Sequence, residues 1–128
     1  KEYRRQRQMC IRDRVIIKAK TAAYTCTVDE SGVMFTNRGA TVAITFTLPL
    51  NSTCPIGTRF SFYGVSAYGF TVTSNPSDTI VTLNDAAADS ITITSTSKII
   101  GGAVDVIWDG TAWLAKQASV GNTYTVAT

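Results

Sequence analysis

The sequence predicts an all-β domain, and three observations carry that prediction. From Thr41 to Leu48 the apolar residues Val42, Ile44, Phe46 and Leu48 alternate with Thr41, Ala43, Thr45 and Thr47 before the run stops at Pro49. A period of two belongs to a half-buried strand, whose successive side chains point to opposite faces. The same alternation returns in Tyr24/Cys26/Val28, Phe60/Phe62, Phe70/Val72 and Ile91/Ile93, each set interleaved with hydroxyl or charged residues. Turn residues recur at short spacing, and no stretch sustains a helical period. The expected fold is therefore an antiparallel β-sandwich or small β-barrel of about ten short strands.

The elements follow in order. Strands are expected at Val15–Lys20, Tyr24–Val28 and Val33–Thr36, then Thr41–Leu48, with Val42, Ile44, Phe46 and Leu48 inward. Others are expected at Thr58–Val65, Gly69–Ser74, Thr79–Leu83, Ser90–Thr96, Ala103–Trp108, Ala112–Gln117 and Tyr124–Ala127. Asp29-Glu30-Ser31-Gly32 and Asn37-Arg38-Gly39 supply glycines where a turn needs positive φ. Pro49 and Pro55 bracket a loop, Asn75-Pro76-Ser77-Asp78 forms another turn, and Asn84–Asp89 has room for one short turn. No internal repeat at a solenoid period is visible.

The best-defined local unit is the hairpin built on Val106, Trp108, Asp109, Gly110 and Trp113. Asp-Gly suits a type I′ turn with positive φ. A two-residue loop would pair Val106 with Trp113, and a four-residue loop would pair Trp108 with Trp113. Either register places Val104, Val106, Trp108 and Trp113 on one face. The two indoles, about 150–250 Å² each, then close the core as a clamp or, if exposed, offer a stacking platform for a sugar or base.

Composition bounds the rest. A chain of 128 residues is one domain's length, burying roughly two-thirds of its unfolded surface. The expectation is a single domain over residues 15–128. No apolar run approaches the ~20 residues of a membrane-spanning helix, and the N-terminal residues lack the apolar segment of a secretory signal. The net charge of +3 is unevenly placed. Residues 1–20 hold eight basic and two acidic residues, and residues 21–128 hold four basic and seven acidic ones. A basic arm would ordinarily point to nucleic acid or an anionic surface. However, Arg5–Arg14, reading RQRQMCIRDR, resembles a translated sequencing adapter, which sets residues 1–14 aside as a suspect segment and removes the case for a nucleic-acid partner. A genuine basic arm is the alternative.

Catalytic equipment is sparse. Without histidine, the commonest general base and the usual zinc ligand are missing. Cys10, Cys26 and Cys54 show no CxxC spacing. Cys26 lies on an apolar strand face as a small core residue, with a Cys26–Cys54 disulfide as the alternative. Asp85, Asp89 and Asp109 fall in turn contexts where Asp bonds local backbone, so neither a glycosidase carboxylate pair nor a calcium site at Asp85 and Asp89 is favoured. Asn51-Ser52-Thr53 fits a glycosylation sequon that matters only in a eukaryotic secretory setting. No enzyme activity, cofactor or metal is expected.

From Thr21 onward, about 85% of the chain, the sequence resembles a β-domain of tailed-bacteriophage virion proteins. The residues that carry the resemblance are Thr21-Ala22-Ala23-Tyr24-Thr25, Asp29-Glu30-Ser31-Gly32 and Asn37-Arg38-Gly39-Ala40. They continue with Thr45-Phe46-Thr47-Leu48-Pro49, Gly57-Thr58-Arg59-Phe60 and Trp108-Asp109-Gly110-Thr111-Ala112-Trp113. Pro55-Ile56 departs from the pattern, where small residues are more usual. The resemblance implies a non-enzymatic, often trimeric module on the virion surface, a tail-fibre or receptor-binding module ahead of a capsid decoration or head-fibre protein. It implies partnership with copies of itself and other virion proteins, and no membrane insertion. A cellular carbohydrate-binding module is a further alternative.

A host surface glycan, if one is bound, is expected at the loop from Tyr63 to Gly69. Tyr63 falls on the polar face of its strand and Tyr68 sits in a glycine-flanked turn. An exposed Tyr offers an apolar face and a hydroxyl at low entropic cost. Tyr68 folded back over the core edge, or the loop used as a subunit contact, are the alternatives.

Overall fold

The computed structural model describes residues 14–76, 79–93, 99–117 and 124–128. The alternating runs become strands β1 (Ile17–Ala19), β2 (Tyr24–Thr25), β3 (Met34–Thr36), β4 (Ile44–Thr47), β5 (Arg59–Tyr63) and β6 (Phe70–Thr73). They continue as β7 (Ile80–Thr82), β8 (Asp85–Ala88), β9 (Ser90–Ile93), β10 (Ala103–Trp108), β11 (Trp113–Gln117) and β12 (Tyr124–Ala127). Single 3₁₀ turns stand at Val28–Glu30 and Asn51–Thr53. The fold is all-β, in two sheets. The larger runs β1-β3-β5-β10-β11-β7-β8 and the smaller β12-β9-β6-β4-β2. Residues 1–13 of the suspect segment, the Ser77-Asp78 half of one turn and the Thr94–Thr96 end of one expected strand lie outside the described residues.

The expected antiparallel pairing is corrected: both sheets are mixed. Among the described residues, β1–β3, β3–β5, β2–β4, β4–β6 and β7–β11 pair in parallel. The cause is the route of the chain. From β1 to β6 it crosses between sheets at every step, so β1, β3 and β5 stack in the larger sheet and β2, β4 and β6 in the smaller. Each strand returns to its sheet in the direction it left. The result is a short coil of solenoid type, although no sequence repeat announces it. Successive circuits differ in length, with Lys18, Phe35 and Phe62 aligned in one sheet and Tyr24, Phe46 and Val72 in the other. The later strands complete the sheets partly in antiparallel fashion, with β10 joining β5 to β11 and β9 joining β6 to β12.

The inner faces meet in an aromatic layer. Phe35 and Phe62 of the larger sheet face Phe46 and Phe70 of the smaller, with cross-sheet centroid distances of 5.7 Å for Phe35–Phe46, 5.0 Å for Phe46–Phe62 and 6.3 Å for Phe62–Phe70. Ile44, Phe46, Leu48, Phe60, Phe62, Val106 and Trp113 are all at most 3% exposed. Val42 departs from its expected inward place and is 59% exposed. The ladder begins only at Ile44, so residues 41–43 bend outside the sheet's alternation. Likewise β2 ends at Thr25, because Val28 enters the 3₁₀ turn; Cys26 is still buried, its N–H donating to Thr47 O at 2.8 Å.

Two turns exchange their expected roles. Asn84–Asp89, read as a short turn, contains strand β8, which pairs antiparallel with β7 through Thr82 and Asp85. Leu83 and Asn84, with φ of 44° and 66°, supply the positive-φ pair of a type I′ hairpin loop. In the Trp hairpin the register pairs Trp108 with Trp113, so the loop has four residues, Asp109 to Ala112. Only Gly110 there has positive φ, +98°. The Asp109 carboxylate accepts from the N–H groups of Thr111 (2.8 Å) and Ala112 (2.7 Å), closing the loop without a type I′ turn.

Phe46 is fully buried and touches rings from both sheets. Phe46→Ala should therefore lower the unfolding free energy by about 3–5 kcal/mol, measured by denaturant titration. A loss within experimental error would contradict the assigned inner face.

Candidate functional site

The inward burial of Phe60 and Phe62 turns Arg59, Ser61 and Tyr63 outward on the larger sheet. Tyr63, 41% exposed, ends β5 beside Thr36 and Ala103 in register. Tyr68, 55% exposed, stands on the following turn. The intervening backbone is tied at both ends. Gly64 donates to Gly102 O at 2.8 Å and accepts from Gly101 N–H at 2.7 Å. A Cβ at Gly64 would lie 2.6 Å from Ile99 O, so this close approach requires glycine.

Asn37 fixes the middle of the loop. Its side chain is fully buried. Oδ1 accepts from the N–H groups of Val65 (2.7 Å) and Ser66 (2.8 Å), and Nδ2 donates to Gly69 O at 3.2 Å. Ser66 Oγ donates to Ala40 O at 2.8 Å and accepts from Tyr68 N–H at 3.2 Å. One amide thus spans the loop, and Tyr68 projects from a backbone already held in place. Sequence reading treated Asn37 only as a turn residue. Its partners lie 28 to 32 residues away, and no local signal could have revealed them.

Beside Tyr63 the outer face of β1, β3 and β5 forms an open groove of about 490 Å³, walled by Ile17, Ala19, Met34, Thr36, Arg38, Tyr63 and Val65. Tyr63 therefore faces a cleft, whereas Tyr68 stands on the turn above the sheet's end.

The hairpin residues lie elsewhere. Val106, Trp108 and Trp113 are buried, and the two indoles meet at 5.3 Å with planes inclined by 51°. Trp113 Nε1 donates to Asn51 Oδ1 at 3.2 Å. The pair closes the core and offers no stacking platform to solvent. Asp109 and Gly110 are exposed at the loop tip, and the Ala112 and Thr111 N–H groups hold the Asp109 carboxyl below its ordinary value.

A second polar cluster, also missed, pins the first circuit. Glu30, 6% exposed, takes Lys18 Nζ at 2.7 Å on Oε2, and the Tyr24 hydroxyl reaches both its oxygens at 2.7 and 2.8 Å. Thr27 N–H donates to Oε1 at 2.9 Å. The signal was present in Thr27-Val28-Asp29-Glu30, a capping-box pattern. Burial alone would raise the Glu30 pKa, but hydrogen bonds from Lys18, Thr27 and Tyr24 overcome it and hold the group down to about 2. The hydrogen bond to Glu30, followed by burial, pushes Tyr24 up to about 12. Lys20 Nζ lies 3.9 Å from the Tyr24 ring centroid, a cation–π contact.

Cys26 and Cys54 are free thiols, and burial pushes Cys26 up to about 12. Among the described residues no group of three or more His, Cys, Asp or Glu converges on a metal position. No helix of the described residues is long and apolar enough to cross a membrane. Comparison with known protein families finds no family model that matches the chain, and comparison with characterised proteins finds no match either.

Asn37→Ala would strand two backbone N–H groups and one carbonyl. We expect a loss of about 3 kcal/mol in unfolding free energy and faster proteolysis within residues 64–69, read by limited digestion. Glu30 has a depressed folded-state value, so its stabilising contribution is complete above the ordinary carboxylate value of 4.5 and is lost as pH falls towards about 2. Denaturation across that window should show a steeper acid loss for the native chain than for Glu30→Gln. Equal slopes would contradict the assignment.

Proposed function

We propose that this chain is a non-enzymatic structural module of a tailed-bacteriophage virion, projecting from the particle surface as part of a tail fibre and contacting the host through the Tyr63–Gly69 face. The observation that carries this reading is the preordered loop. Tyr68 stands on a loop held by a buried amide and Tyr63 on the end of a strand paired on both sides, so little conformational entropy is lost on contact. The ordered set of motifs from Thr21 to Trp113 supports the phage assignment by resemblance. Thr-faced strands with sparse charge suit a stiff surface module whose recognition resides in loops.

We further propose that copies assemble as a homotrimer. Val15 and Ile16, 59% and 61% exposed beside β1, the edge strand of the larger sheet among the described residues, are the apolar surface for that contact, since proteins pair or cover open sheet edges. A second reading, capsid decoration, draws support from the outer face of the larger sheet, where Ile107 and Leu114 are 41% and 39% exposed; such a face suits seating on another virion protein. A carbohydrate-binding module with a planar aromatic row draws no support from Trp108 and Trp113, which are buried.

The Tyr63→Ala, Tyr68→Ala double variant should fold as the native chain does and lose host-cell or glycan-array binding. Undiminished binding would remove the loop from the contact. Light scattering should report three copies, and a monomer at micromolar concentration would overturn the trimer. Flanking capsid genes in place of tail genes would favour decoration over the fibre.

A further inference from the structure

We propose that the groove beside Tyr63 binds an anionic saccharide, a sugar bearing a carboxylate or a phosphate, with Arg38 pairing the anion and the Tyr63 ring carrying the sugar's apolar face. The inference rests on the host-contact reading and names the ligand class for it.

Size is the first observation. At about 490 Å³ the groove falls within the ~300–1,000 Å³ of small-ligand clefts. Its walls are of two kinds, as a sugar demands. Ile17, Met34 and Val65 supply apolar surface, while Thr36, Tyr63 and Arg38 supply polar groups. Tyr63 is 41% exposed and lines the groove, so part of its side chain is open to a ligand.

Charge is the second. Arg38 is exposed, and among the described residues no carboxylate lies within ion-pairing distance of it. Lys18, which lies between Ile17 and Ala19 in β1 but does not line the groove, is engaged by Glu30 at 2.7 Å. Among the described residues no acidic side chain lines the groove, which leaves it a net positive wall. A guanidinium in this state presents a planar fork of donors that matches carboxylate or phosphate oxygens.

The third observation is Thr36, which is 7% exposed and lines the groove. Its Oγ1 accepts a long contact from Arg38 N–H at 3.5 Å, and its hydroxyl proton has no acceptor among the described residues. A buried donor without an acceptor calls for a partner, and a ligand oxygen in the groove supplies one. The three polar groups are set by a single register: Thr36 pairs with Tyr63 across β3 and β5, and Arg38 follows two residues after Thr36.

The test uses the full chain with three labelled oligosaccharides of equal length: a neutral hexose, a hexuronate and a hexose phosphate. We expect one or both acidic probes to bind at least about tenfold more tightly than the neutral one, and Arg38→Gln to abolish that preference. Preference for the hexuronate or the phosphate identifies the anion. Arg38→Lys should retain part of the preference, Tyr63→Ala should weaken all binding, and Lys116→Gln, the same charge change elsewhere on the sheet, should change nothing. Arg38 is exposed, so thermal melts should confirm an unaltered fold. Equal binding of neutral and acidic probes, or an Arg38→Gln variant that binds as the native chain does, would overturn the proposal. If no probe binds while the chain still attaches to host cells, the groove proposal falls and the host-contact reading stands. If neither occurs, both fall.

Discussion

Phe35 touches four aromatic rings: Tyr24 at 5.5 Å, Phe46 at 5.7 Å, Phe62 at 5.8 Å and Phe60 at 6.1 Å. Two of those rings belong to each sheet, so this side chain ties the layers together where the chain winds between them. Its burial also sets the register of β3. A slip of one residue would turn Phe35 to the outer face and Met34 and Thr36 to the inner one. With Phe35 inward, Phe35 aligns with Phe62 and Thr36 with Tyr63. Asn37 then leaves the strand buried, within reach of Val65, Ser66 and Gly69. The outer groove and the ordered loop are consequences of one aromatic side chain facing in.

Much of the layering was legible in the sequence because alternation is a local property. β5, β6 and β9 carry inner Phe, Val and Ile residues against outer Thr, Ser and Arg, and no other pattern competes there. Strand direction was not legible. A half-buried strand alternates in the same way whether its neighbour runs parallel or antiparallel. Only a regular circuit length would have exposed the coil, and the steps from Lys18 to Phe35 and from Phe35 to Phe62 are unequal. Turn chemistry misled in a physical way. Leu83 adopts positive φ, a conformation unfavourable for a side chain with a Cβ, so Leu83-Asn84 lacks the glycine that usually marks a two-residue hairpin loop. Asp109-Gly110 announced a type I′ loop and forms instead a wider one closed by the aspartate.

The outward placement of Tyr63 followed from the inward placement of its neighbours, and Tyr68 from the glycine beside it. The groups that make their setting specific did not follow, because each depends on contacts distant in sequence. Asn37 looks like any turn asparagine until its three partners are in place. Glu30 was hidden for the opposite reason. The Thr-Cys-Thr-Val run preceding it reads as strand, and that reading obscured the Thr-x-x-Glu cap. The cap ends the strand at Thr25 and turns Glu30 inward to meet Lys18.

Placement also changes what the charge count means. By number, residues 1–20 look like a basic segment seeking an anion. Within the described residues Lys18 is neutralised by Glu30 and Lys20 lies over the Tyr24 ring. These two lysines serve the closure of the first circuit. Arg38, an isolated charge in a turn, stands beside an open groove without a carboxylate partner among the described residues. Positive potential available to a ligand is thus a matter of which cations the fold leaves uncompensated, and here the fold leaves one beside a tyrosine.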